Sequence, residues 1–99
     1  MYNLYLSPDA ELDLKETIDW YEEQRIGLGQ DFLVHIDSAF YKLKNHPRLY
    51  AVVYKNVRTV LMKKYPYCIF YIVEEEQKSI QIFAILHTKR NPEIWINRK

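Results

Sequence analysis

The sequence predicts a single α+β domain, in which an N-terminal strand and an antiparallel helix hairpin pack on a mainly antiparallel sheet of four to five strands. Three observations carry this. Two segments of the first half repeat apolar residues at helical spacing. The second half holds four short runs rich in β-branched and aromatic residues. The connections between those runs are too short for parallel crossovers, so neighbouring runs must pair as hairpins. With 99 residues, the chain has the length of one domain spanning residues 1–99.

Each element has a local reason. Tyr2-Asn3-Leu4-Tyr5-Leu6-Ser7 reads as a short strand. Ser7-Pro8 then starts a helix, since the serine hydroxyl can accept from an unpaired amide and proline lacks an amide that would be wasted there. Asp9 and Glu11 suit the positive end of the helix dipole. Ala10, Leu14, Ile18 and Tyr21, with Thr17 between them, mark the buried face. Trp20 is expected to widen that face, and Asp13, Glu16 and Glu23 to point outward. Gly27-Leu28-Gly29 holds both glycines of the chain and is a turn rather than a phosphate loop, which needs a preceding strand and wider glycine spacing. Phe32, Ile36, Ala39, Phe40 and Leu43 define a second helix, which stops at His46-Pro47 because the residue before proline disfavours helical geometry. Strands are expected at residues 50–54, 57–63, 68–73 and 80–86, with turns at Lys55-Asn56, Tyr65-Pro66-Tyr67 and Glu76-Gln77-Lys78. Several of these runs are apolar on both parities, so one sheet face is covered and the other partly sheltered.

Composition narrows the function classes. Hydrophobic residues make up 48% of the chain and charged residues 27%, a globular balance that argues against disorder. Cys68 is the only cysteine, so there is no internal disulfide, and a reducing compartment is expected. In its apolar run it reads as inert core. The three histidines are scattered without zinc-site spacing, so neither metal nor cofactor is expected. No apolar run reaches the ~18 residues of a membrane span, and the N-terminus lacks the order of a signal peptide. The expectation is a soluble cytoplasmic domain without a membrane partner.

Charge is uneven. Residues 1–47 carry nine acids against four bases, and residues 48–99 carry ten bases against four acids. Such asymmetry points to an anionic partner for the second half, or to two solvated faces of opposite sign.

The tail is the most unusual stretch, gathering His87, Lys89, Arg90, Trp95 and Arg98 within twelve residues. It closes a distributed pattern: Ala10 to Leu14, Trp20-Tyr21, Gly27-Leu28-Gly29-Gln30-Asp31-Phe32, His46-Pro47, Val57-Arg58, Tyr65-Pro66-Tyr67 with Ile69 and Tyr71, and His87-x-x-Arg90-x-Pro92-x-x-Trp95-x-x-Arg98. In this order and spacing the chain resembles the RelE/ParE superfamily of bacterial toxins from type II toxin–antitoxin systems, most closely its ParE-like branch. The resemblance implies a growth-inhibiting toxin neutralised by a cognate antitoxin that wraps its surface, alone as a homodimer or in a toxin–antitoxin hetero-oligomer. One branch of the superfamily inhibits DNA gyrase and is not a nuclease. The other cleaves mRNA on the ribosome. A degenerate toxin that only binds its antitoxin is a third outcome.

RNA cleavage needs a proton acceptor, a proton donor and cations for the phosphorane. Under the nuclease reading His87 serves as acid or base, with Arg58 and Arg90 supplying charge. Lys63, Lys64, Lys89, Trp95 and Arg98 are the candidates for contacting a target or nucleic acid. Trp95 can stack on a base but transfers no proton at neutral pH, and many nuclease relatives carry a tyrosine near its place. Structural roles compete throughout. Arg58 could pair with a carboxylate of the helix hairpin, Trp95 could plug the tail onto the sheet, and Glu74-Glu75-Glu76 reads as a solvated hairpin tip. His35 and His46 carry no expectation. The tyrosines of the basic half suit a protein interface.

Overall fold

In a computed structural model, which describes residues 1–98, the elements run β1 (Asn3–Leu6), α1 (Pro8–Gln24), α2 (Leu28–Asn45), β2 (Val52–Tyr54), β3 (Val57–Leu61), β4 (Tyr67–Glu74), β5 (Ser79–His87) and α3 (Glu93–Arg98). The expected α+β architecture is present. The five strands form one sheet in the order β1-β5-β4-β3-β2, with β1 parallel to β5 and every other pair antiparallel. No helix among the described residues is long and apolar enough to cross a membrane.

Helix α1 starts as its sequence dictates. Ser7 Oγ accepts from the Ala10 amide at 3.1 Å, and Pro8 occupies the first turn. Helix α2 begins earlier than the two glycines suggest. Gly27, with φ of 92°, is the turn residue, whereas Gly29 lies inside the helix. A side chain there would meet the Ile18 carbonyl oxygen at 2.7 Å, so Gly29 is what lets the two helices touch. Glu22 tightens the same corner by accepting from the Gly27 and Gly29 amides at 3.0 Å each.

The main core lies between the helix pair and one sheet face. Phe32, Ile36, Leu43, Ile69, Tyr71, Ile80, Ile82 and Ile85 are its large buried members. Trp20 does not widen this face. It remains 53% exposed and leans edge-on against Tyr21, with ring centroids 5.0 Å apart. On the opposite sheet face Val57, Phe70, Ala84 and Leu86 form a second apolar cluster, covered by Ile94 and Trp95 of α3. This accounts for strands that are apolar on both parities. A bulge in β5 adds to it: Phe70 pairs with Ala84 but Tyr71 with Ile82, so Phe83 is left over. Helix-facing positions therefore switch from Ile80 and Ile82 to Ile85.

Glu75 is not merely a solvated tip. Its carboxylate accepts from Tyr2 Oη at 2.6 Å, Arg48 Nη2 at 2.7 Å and Lys78 Nζ at 2.9 Å, joining the start of the chain, the α2–β2 connection and the β4–β5 turn. These three donors hold its carboxyl down to about 2.

Candidate functional site

After His87 the chain turns through Thr88-Lys89-Arg90 and returns as α3 beneath the sheet. Asn91 Oδ1 accepts from the Glu93 amide at 3.0 Å and so fixes the helix start. Between this returning segment and the N-terminal half of α1 lies a cleft of about 200 Å³, whose charged lining includes Asp9, Asp13, Glu16, His87, Arg90 and Arg98.

Asp13 organises its wall. The carboxylate accepts from the Ile85 amide at 3.0 Å and from Arg98 Nη1 at 2.5 Å and Nη2 at 3.1 Å. Arg98 Nη1 also donates to the Phe83 carbonyl at 3.3 Å. The pair thus satisfies two backbone groups of β5, the Phe83 carbonyl at the bulge and the Ile85 amide just beyond it. The bond to Asp13 raises the guanidinium's hold on its proton, against the opposing effect of burial. The Asp13 side chain is only 11% exposed, which corrects its expected outward placement. Its position carries the signal: Asp13 lies three residues after buried Ala10 and four before buried Thr17, inside the apolar stripe.

His87 enters the cleft at the end of β5. Its Nδ1 accepts from the Lys89 amide at 3.0 Å, and its ring meets Tyr67 edge-on at 5.3 Å. With the Nδ1 lone pair engaged, the neutral ring carries its proton on Nε2. In that form its free ring nitrogen can donate a proton but not accept one. Arg90 lines the same cleft and, like Lys89, is exposed; no side-chain ion pair holds either among the described residues.

Arg58 sits elsewhere. It faces Tyr71 across β3–β4, whereas His87 faces Tyr67 across β4–β5. Four residues along a strand span about 13 Å, and two strand spacings add about 10 Å sideways. Arg58 Nη1 donates to the Tyr50 carbonyl at 2.6 Å and the Arg48 carbonyl at 3.2 Å, so it binds the α2–β2 connection rather than a helix carboxylate. Beside it, buried Tyr71 donates to the Pro47 carbonyl at 2.7 Å, and burial pushes its phenol up to about 12.

The other candidates are likewise dispersed. Trp95 stacks on Phe70 with centroids 4.6 Å apart and planes 16° from parallel, plugging the tail onto the sheet. Lys64 Nζ is bound to Asp31 at 2.6 Å, and Asp31 also accepts from Tyr65 Oη at 2.5 Å. Lys63 is exposed in the β3–β4 connection, at the same strand end as His87 but with β4 between them. Cys68 is half-buried, and burial raises its thiol against the opposing effect of Thr59. Among the described residues no group of three His, Cys, Asp or Glu side chains is placed to hold a metal ion.

This architecture is shared with known proteins. The chain superposes on a chromosomal ParDE toxin–antitoxin protein of P. aeruginosa with a TM-score of 0.62 at 20% identity, covering 88% of this chain and 96% of that one. It superposes on a chain of the intact E. coli RelBE toxin–antitoxin complex with a TM-score of 0.69 at 13% identity, covering 91% and 100%. For the isolated E. coli RelE toxin the values are 0.68 and 12%, covering 98% and 95%. No curated protein matches the chain in sequence. The family model for the ParE toxin of the type II toxin–antitoxin system parDE matches residues 4–92. The chain therefore belongs to the ParE toxin family of type II toxin–antitoxin systems.

Proposed function

We propose that this chain arrests bacterial growth by binding a protein target, DNA gyrase, in the manner its ParE-like resemblance implies, and that a cognate antitoxin neutralises it. The observation that carries the choice against RNA cleavage is the dispersal of the candidate catalytic groups. His87 ends β5, and Arg58, two strands across and four residues along, is spent on backbone carbonyls. A phosphoryl transfer site needs its base and its cations around one phosphorus. Arg90 and Lys89, exposed beside the cleft, are suited instead to charged contacts with a protein surface. Two of the structural relatives are toxin–antitoxin assemblies, which supports an antitoxin partner here.

One observation favours ribosome-dependent mRNA cleavage: His87 and Arg90 share a cleft. Labelled thymidine and methionine incorporation, followed in the minutes after inducing the chain alone, separates the two. The gyrase reading expects DNA synthesis to fall first. Translation falling first overturns it, and unaffected growth with a well-folded chain overturns both.

A further inference from the structure

A second cleft, of about 140 Å³, lies between α2 and the end of β3 and shares no lining residue with the first. Its floor is apolar, formed by Ala39, Val60 and Met62, and Leu61 stands 62% exposed beside it. Its rim is cationic. Lys42 and Lys63 are both exposed, and neither has an ion-pair partner among the described residues, whereas the adjacent Lys64 is held by Asp31. His35 completes the lining. Its Nδ1 donates to the Asp31 carbonyl at 2.8 Å, so a ligand can be met only by Nε2.

Two unneutralised ammonium groups flanking an apolar floor do not match a nucleic-acid backbone, which needs a continuous row of cations and offers nothing to bury. They match a peptide that carries acidic side chains on either side of an apolar anchor, with the anchor on the floor and the carboxylates on the lysines. We infer that this α2–β3 cleft receives an acidic, apolar-anchored segment of the antitoxin, and that Lys42 and Lys63 select it by charge. The inference rests on the reading above that the chain has an antitoxin.

The test is calorimetric titration of the purified antitoxin, the product of the neighbouring gene, into four full-length proteins at two salt concentrations. These are wild type, Lys42→Glu with Lys63→Glu, Leu61→Glu, and Lys55→Glu as a charge control. The double reversal should weaken binding by roughly ten-fold or more at low salt and flatten the salt dependence. Leu61→Glu should weaken it similarly, and Lys55→Glu should leave it unchanged. All four positions are exposed, so thermal melts should match wild type. Wild-type affinity in both folded cleft variants overturns the assignment of the cleft while leaving the antitoxin reading intact. A wild-type chain that does not bind the neighbouring product overturns the antitoxin reading itself.

Discussion

Replacing Asp13 with alanine removes three hydrogen bonds at once and strands two of their donors. Arg98 loses its bidentate partner while its side chain stays 20% exposed, and the Ile85 amide loses its acceptor. Breaking a buried pair by deleting one member costs about 3–5 kcal/mol, and partial exposure of Arg98 moves this case to about 2–3. An unsatisfied amide adds about 1 kcal/mol. The total is about 3–4 kcal/mol, which for a domain of this size lowers the melting temperature by about 15–25 °C. Arg98→Met leaves Asp13 bonded to the Ile85 amide, so it should cost less, about 1–2 kcal/mol. Urea denaturation of both single variants and the double variant closes the cycle. Because the Arg98 cost disappears once Asp13 is gone, the double variant should be more stable than the sum of the singles predicts, by about 1–2 kcal/mol. Additivity to within about 0.5 kcal/mol would refute the claim that this pair locks the tail to the bulge.

Other positions give independent checks. Gly29→Ala drives a Cβ against the Ile18 carbonyl and should destabilise by about 2–3 kcal/mol, whereas Gly27→Ala meets no neighbour and should cost only the ~1 kcal/mol of a left-handed φ; a loss at Gly29 no larger than that at Gly27 in urea melts would contradict the packing described. Tyr71→Phe leaves the Pro47 carbonyl unpaired and should lose about 1–2 kcal/mol, and in alkaline absorbance titration one phenol titrating near pH 12 should vanish with it. Glu75, held down to about 2, stabilises the fold fully above the unfolded carboxylate value of about 4.3, and this contribution is lost as pH falls toward 2. Melting temperature followed from pH 6 to pH 2 should therefore drop less steeply in Glu75→Gln, with part of the slope remaining because Asp31 is also lowered by Lys64 and Tyr65.

The helix pair and the sheet were legible because their signals are local. A proline after a serine, a stripe at helical spacing and a residue before proline each act through a few neighbouring backbone bonds. The bulge at Phe83 was not legible, because both Ile82 and Ile85 are apolar and alternation cannot say where the face changes. Helix α3 was missed for a related reason: six residues are too few for periodicity, and its order comes from Trp95 on Phe70 and Arg98 on Asp13. The candidate site was less legible than the fold. The sequence gathers His87, Lys89, Arg90, Trp95 and Arg98, but a short spacing along the chain does not say which side chains turn inward. Trp95 and Arg98 are taken by packing and by Asp13, and Arg58 by backbone carbonyls. Only His87 and Arg90 join Arg98 around the cleft.

Central to this account is action through a protein target rather than through chemistry at His87. The direct test adds the purified chain to two reactions in parallel, DNA supercoiling by purified gyrase and a translating extract programmed with a defined mRNA. The account predicts that supercoiling stops while the mRNA remains intact, with His87→Ala still inhibitory. Cleaved mRNA with unimpeded supercoiling, and cleavage lost in His87→Ala, would contradict it.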